Sequence, residues 1–266
     1  MLLAQTGGLV IDWTQMPTYN TIMAVAAGAG LLGVVMFARD LRVRPDVHLR
    51  GWALAFAVPG FILALTGAHM TLTWPFAKYF PFDNIIFGEP SLAFGVLLLA
   101  AALYLWTRGE HLGGIDAHVA TDDPAGSAGE PERDEPARVA ATLELARVAR
   151  PMTVFLVGLG LSLLAIAAAG IVFQLFAAPP EEPISGAFAE WPWLEATFMS
   201  GLFALVGIGC LSAPFALGNV GKPGMSTAQR ITGVTWALAG IAFLLFGALN
   251  FFTHIGLIVH TMAPPG

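Results

Sequence analysis

WALAFAVPGFILALTGAHMTLTWPFAKYFPFDNIIFGEPSLAFGVLLLAAALYLW, Trp52 to Trp106, consists of two apolar runs on either side of an aromatic, proline-bearing turn. Each run, Trp52 to Thr73 and Phe87 to Trp106, has about the 20 residues that carry an α-helix across the hydrocarbon core of a bilayer. Neither run alternates apolar and polar residues as a barrel strand would, and a helix closes its own backbone hydrogen bonds inside lipid. The stretch reads as a transmembrane hairpin with a histidine, His69, and a glutamate, Glu89, at its tip.

Working outward, four more runs of that kind appear, at Asn20 to Ala38, Met152 to Ala178, Leu194 to Leu217 and Thr232 to Val259. The 266 residues are 56% apolar and 11% charged. Together with a mean hydropathy of +0.73, this excludes an ordinary soluble globular chain. The prediction is an all-α polytopic membrane protein, residues 1–266 forming a single bundle of six transmembrane helices in the lipid bilayer. Its start, MLLAQTGGLVIDWTQMP, lacks a basic region and a long enough apolar core for a signal peptide, so the first helix is expected to be retained. The single cysteine, Cys210, excludes an internal disulfide and a cysteine-built metal cage. The net charge of −6 argues mildly against a nucleic-acid partner, and none is expected.

Eleven of the twelve basic residues fall on one side of this topology: Arg39, Arg42, Arg44, Arg50, Arg108, Arg133, Arg138, Arg147, Arg150, Lys222 and Arg230, with Lys78 the exception. The positive-inside rule makes that side cytoplasmic and puts both termini on the extracytoplasmic side of the cell membrane. Trp52, Trp106 and Trp236 then mark the inner interface, and Trp13, Trp74, Trp191 and Trp193 the outer one. Residues 107–150 form a cytoplasmic loop whose middle, ATDDPAGSAGEPERDEP, is acidic, rich in proline and glycine, and expected to be largely disordered. Its end, PARVAATLELARVAR, fits either a short amphipathic helix with Val139, Leu143 and Val148 on one side or an extension of the fourth helix. His111 and His118 in this segment read as solvent-exposed loop histidines.

An internal hairpin repeat is suggested by two echoes. The third and fifth helices each start with a glutamate followed six residues later by glycine: Glu89 with Gly95, and Glu195 with Gly201. The second and sixth run from WALA to a histidine, Trp52 to His69 and Trp236 to His254. These polar groups share one depth near the outer face. Gly233, Gly240, Gly247 and His254 recur every seven residues, a small-residue stripe that faces protein in a membrane bundle. Asn250 precedes His254 by a turn, and Thr66, His69 and Thr73 form a second polar stripe.

Polar and ionisable groups inside a membrane are costly and mark functional sites by default. His69, Glu89, Glu195 and His254 are therefore the expected metal-binding residues, since imidazole and carboxylate together suit copper, zinc or iron. Histidines on separate helices also suit a haem edge or a quinol head group. The competing reading is capping and interfacial hydrogen bonding, which fits Glu89 and Glu195 well because both lie where the helix dipole favours negative charge. His260 joins the site only if the last helix unwinds, and no catalytic residue is assigned. No phosphate-binding loop, G-x-S-x-G elbow, HExxH, CxxC or haem-attachment motif is present, so several enzyme classes lose support.

The residues GAHMTLTWPF and FDNIIFGEPSLAFGVLLLAAAL resemble a family of bacterial and archaeal integral membrane proteins known as domain of unknown function 981. The likeness rests on His69, Thr73, Trp74, Pro75, Asn84, Phe87, Gly88, Glu89 and Pro90. It implies the membrane fold and no particular activity. Three functions then compete: a metal- or redox-cofactor-binding membrane protein with its site near the outer face, a non-catalytic accessory subunit alongside other membrane subunits of a larger, respiratory-type complex, and a small cation transporter. The last is weakest, because transporters need polar groups and broken helices near the midplane, and beyond Pro59 and Pro214, which lie near the inner ends, few such features are found.

Overall fold

A computed structural model describes residues 11–44, 47–113, 134–177 and 179–262. The helices are α1 (Asn20–Val43), α2 (Leu49–Thr73), α3 (Glu89–Gly113, entered through a π-turn at Asn84–Gly88), α4 (Asp134–Ala149), α5 (Thr153–Phe173), α6 (Pro192–Gly218) and α7 (Thr227–Met262). No strand occurs among the described residues. Six helical runs are long and apolar enough to cross a membrane: α1, α2, the π-turn with α3, α4 running on into α5, α6 and α7. The chain is an all-α, multi-pass membrane protein, and large apolar side chains such as Leu72, Val154 and Phe215 stand exposed on its sides, as lipid contact requires.

Several helices outrun their apolar segments. Helix α1 continues past Ala38 through Arg39 and Arg42 to Val43, and α7 starts at Thr227 instead of Thr232. Hydropathy marks the part of a helix that lies in hydrocarbon, whereas backbone hydrogen bonding carries on into the headgroup layer. Helix α5 is the reverse case and stops at Phe173, short of Ala178. There Gln174 turns left-handed at φ 50°, its N–H bonding the Gly170 carbonyl, a few residues before Pro179 and Pro180. Trp74 ends α2 in the same way, at φ 50° with its N–H on the Met70 carbonyl, immediately before Pro75. A residue before proline is pushed out of the α-region, so the helix must close one residue earlier.

The expected disorder of the long loop falls mainly on residues 114–133, which lie outside the described residues. Its flanks are helical: α3 runs through Thr107 to Gly113, and α4 joins α5 through one 3-10 turn at Arg150–Met152. Leu143 sits against Gly221 and Leu145 packs on the α1–α3 core, while Val139 and Val148 are exposed, so the inward side of α4 is not the one its valines suggested. The arginine-rich end is knitted together by Arg42, which donates to Gln229 Oε1 (3.4 Å) and to the Gly224 carbonyl (3.2 Å), while Arg138 donates to the Arg42 carbonyl.

The helices stand in the order α3, α2, α1, α7, α6, α5 around a ring, with extensive contact at each step and only light contact between α3 and α5. Two cores result. Met23, Phe56, Leu63, Met70 and Leu98 centre the one formed by α1–α3, and Leu163, Met199, Leu202 and Phe203 the one formed by α5–α7. Phe87 touches both. Its ring lies 6.0 Å from that of Phe176 and 6.2 Å from that of Phe203, and the last two are stacked at 5.6 Å.

Glycine sets the helix spacing. A Cβ at Gly67 would run into the backbone of Leu92 and Gly88, one at Gly95 into Ala64 and Gly60, and one at Gly28 into Leu244 and Gly240. In the absence of a hydrophobic force between helices in lipid, such close backbone approach is a main source of packing energy. The seven-residue stripe on α7 packs on α1 at Gly240 and Gly247, but Gly233 meets nothing within 4 Å. Likewise Gly95 is wedged against α2 whereas Gly201 has open space, so the two glycines of the suggested repeat do different jobs.

Gly67→Ala should lower stability by about 1–3 kcal/mol through overpacking. Gly201→Ala, with the same gain in helix propensity and no neighbour to strike, should change it by no more than about 0.5 kcal/mol in the destabilising direction. Thermal or SDS-induced unfolding of the detergent-solubilised variants measures both, and equal losses would refute the packing assignment.

Candidate functional site

The tip of the α2–α3 hairpin is organised by one buried asparagine. Asn84, 1% exposed, donates from Nδ2 to the Pro81 carbonyl (3.2 Å) and accepts at Oδ1 from the Phe76 N–H (3.4 Å). These bonds satisfy backbone groups that a proline-broken loop leaves open. They also fix the two neighbours that matter: Asp83 before the π-turn and Phe87 within it. Such single-turn π-helices redirect side chains and recur at functional positions.

Asp83 and Phe87 face a cavity of about 160 Å³ at the end of the bundle where α1 begins and α7 ends. Helices α1, α6 and α7 contribute to it directly, and the segments that follow α2 and α5 complete it. Asn20 comes from the first turn of α1, Glu182 from the α5–α6 loop, Glu195 and Met199 from the start of α6, and Phe246, Asn250 and His254 from α7. Trp13, Met16, Pro17 and Thr18, ahead of α1, form a further wall. That wall is pinned by Trp13 stacking on Phe80 at 5.8 Å and by Asp12, which accepts from the Thr14 N–H (3.1 Å) and from Gln15 Nε2 (2.7 Å). The Thr14 hydroxyl above all, then its N–H and Gln15, hold the Asp12 carboxyl below its ordinary value.

The four expected site residues divide. Glu195 and His254 are both half-buried and line the cavity together. His69 is exposed and belongs to a different arrangement, sharing a 2.9 Å hydrogen bond between its Nδ1 and the Tyr19 hydroxyl, with the rings edge to face at 5.6 Å. Burial pushes the Tyr19 hydroxyl up to about 12, so it stays protonated and is equipped to donate to that nitrogen. Glu89 is exposed and borders a shallow groove with Leu92, Val96 and Phe155. Among the described residues no three His, Cys, Asp or Glu side chains come together where they could hold a metal ion. The polar stripe on α2 is accounted for locally: the Thr66 hydroxyl donates to the Ile62 carbonyl and that of Thr73 to the His69 carbonyl. His260 stays apart from the cavity, its Nδ1 bonded at 3.0 Å to the Glu181 carbonyl.

Sequence reasoning missed Asn20, Glu182 and the aromatic walls. Asn20 Oδ1 is buried and has no hydrogen-bond partner. A polar residue opening an otherwise apolar span was the available signal for it. Glu182 sits in PPEEP, where the flanking prolines disguised it as linker. The Thr253 hydroxyl bonds its carboxyl, yet burial, the stronger influence, raises that carboxyl above its ordinary value. Asp83 is shifted further: burial pushes it from 3.8 to about 8.

A carboxyl that is harder to ionise in the folded chain than in the unfolded one favours folding at low pH, and that contribution is lost as pH rises from about 4 through about 8. The thermal midpoint should therefore fall between pH 5 and pH 8.5. Asp83→Asn should flatten the decline, and Asp83→Asn with Glu182→Gln should flatten it further. An unchanged slope in the double variant would show that these carboxyls are better solvated than their placement indicates.

No curated protein and no solved structure shows significant similarity to the chain. A family model, Protein of unknown function (DUF981), matches residues 16–256, nearly the whole length and all six membrane-spanning runs in large part. It takes in the hairpin tip, the Asn84 clamp and the residues from Asn20 to His254 that line the cavity, and the chain therefore belongs to the DUF981 family.

Proposed function

We propose that this protein binds one small molecule in the cavity between its two three-helix halves, with Glu195 and His254 as the polar anchors. The observation that carries this reading is their convergence, from two different helices, on one walled space. Ligand sites in helical membrane proteins have this form: a mostly apolar cavity with a few converging polar groups. The positive-inside distribution of arginines supports an extracytoplasmic position for the cavity. The same two residues are what remains of a metal- or redox-cofactor site, because His69 and Glu89 stand elsewhere. Two protein ligands favour a small organic occupant over a metal cage built by the protein alone, which needs three or four.

Full-length protein, extracted in mild detergent, tests this by native mass spectrometry, elemental analysis and optical spectroscopy, followed by a thermal-shift screen of small polar molecules. The expected result is a bound organic molecule, or a screened one that raises the thermal midpoint, with the effect lost in Glu195→Gln and in His254→Leu while both variants elute as the wild type does. Stoichiometric metal or haem that disappears in both variants would replace the small-molecule reading with the cofactor one. A wild type that retains nothing and responds to nothing would overturn both.

A further inference from the structure

We infer that one membrane lipid with a primary amine in its headgroup is held on the outside of the bundle, its acyl chain in the groove between α3 and α5 and its ammonium on Glu89. The groove has a volume of about 400 Å³ and shares no lining residue with the cavity. Leu92, Val96 and Leu97 of α3 and Phe155 of α5 line it, and Glu89 is the only polar side chain among its lining residues. All of them lie within runs long and apolar enough to cross a membrane, so what fills the groove in a bilayer is hydrocarbon. Its shape excludes a further helix. From Glu89 to Leu97 the groove follows α3 for about 12 Å, which gives a mean cross-section no larger than about 33 Å². An α-helix with its side chains is about 10 Å across or more and needs about 80 Å². A single acyl chain is the thin body that enters such a space, and the light contact between α3 and α5 leaves it open to the surrounding lipid.

Glu89 selects the headgroup. Its side chain is exposed, borders the groove, and has no hydrogen-bond or ion-pair partner among the described residues. Ionisable groups in a membrane span ordinarily face the bundle interior and are paired, whereas this one is turned toward lipid. The run Asn84–Gly109 has 26 residues, a length of about 39 Å against the ~30 Å of a hydrocarbon core. Glu89 is near the start of that run, which puts it within a few ångströms of the boundary where lipid headgroups begin. Lys78, the one basic residue at this end of the bundle, lies over the Tyr79 ring at 4.7 Å. A primary ammonium brings the charge and the N–H donors that a carboxylate takes up in charge-assisted hydrogen bonds. A quaternary ammonium has no N–H to give, and an anionic headgroup without an amine brings like charge.

Full-length protein is reconstituted with an equimolar mixture of phosphatidylethanolamine, phosphatidylcholine and phosphatidylglycerol carrying identical acyl chains, released into mild detergent, and examined by native mass spectrometry for lipid that stays bound. One phosphatidylethanolamine per protein should be retained, in preference to either of the other two by about fivefold or more. Glu89→Gln should bring the three lipids close to parity. Val96→Trp, which fills the groove from an exposed position and leaves the core untouched, should reduce retention of all three. The two variants act at different places, so a folding defect in one, seen as altered elution, leaves the other to decide. Equal retention of the three lipids by the wild type, or an ethanolamine preference undiminished in Glu89→Gln, would overturn the amine assignment. Undiminished retention in Val96→Trp would overturn the groove as the seat of the chain, and a wild type that retains no lipid would overturn both.

Discussion

Three phenylalanine rings join the two halves of this protein on the side opposite the α1–α7 contact. Phe87 leaves the α2–α3 tip and meets Phe176, which leaves the end of α5, while Phe203 of α6 lies against both. Each half has its own core, and Phe87 is a member of each. Aromatic pairs at these separations add to the area they bury, so this contact is a true joint. Two of the three rings also line the cavity, which means that the element joining the halves and the floor of the site are one structure.

The chain upstream of Phe87 is arranged to deliver it. Pro75 forces Trp74 to close α2, the Asn84 side chain gathers the loop, and the π-turn sets the phase at which α3 begins. Gly88, the next residue, has no room for a side chain because the Cβ of Met70 occupies the space. The residues that make the hairpin tip distinctive in sequence are thus mostly structural, and their product is the position of Phe87 and Asp83.

How much of this was legible in the sequence differs by level. The six crossings were readable because lipid imposes length and hydropathy on a segment by itself, without reference to its neighbours. Depth was readable for the same reason, and Glu195 and His254, singled out by it, both line the cavity. Direction around the bundle was not. His69 matches His254 in depth and helix context, yet it faces Tyr19, because rotation depends on which glycines the neighbouring helix meets. Gly240 and Gly247 announced such a contact correctly, while Gly233 in the same register announced one that is not made. Asn20 and Glu182 reach the cavity through the path of a helix start and a loop, and no periodicity encodes either.

The light contact between α3 and α5 gives the ring a mechanical character. On the opposite side α1 and α7 are locked by glycine-to-backbone contacts that permit neither sliding nor spreading without loss of packing. A ring fastened on one side and barely closed on the other is a clasp, with its spine at α1–α7 and its lips at α3 and α5. Spreading the lips breaks few helix–helix contacts and pulls directly on the Phe87–Phe176 joint, whose two rings border the cavity.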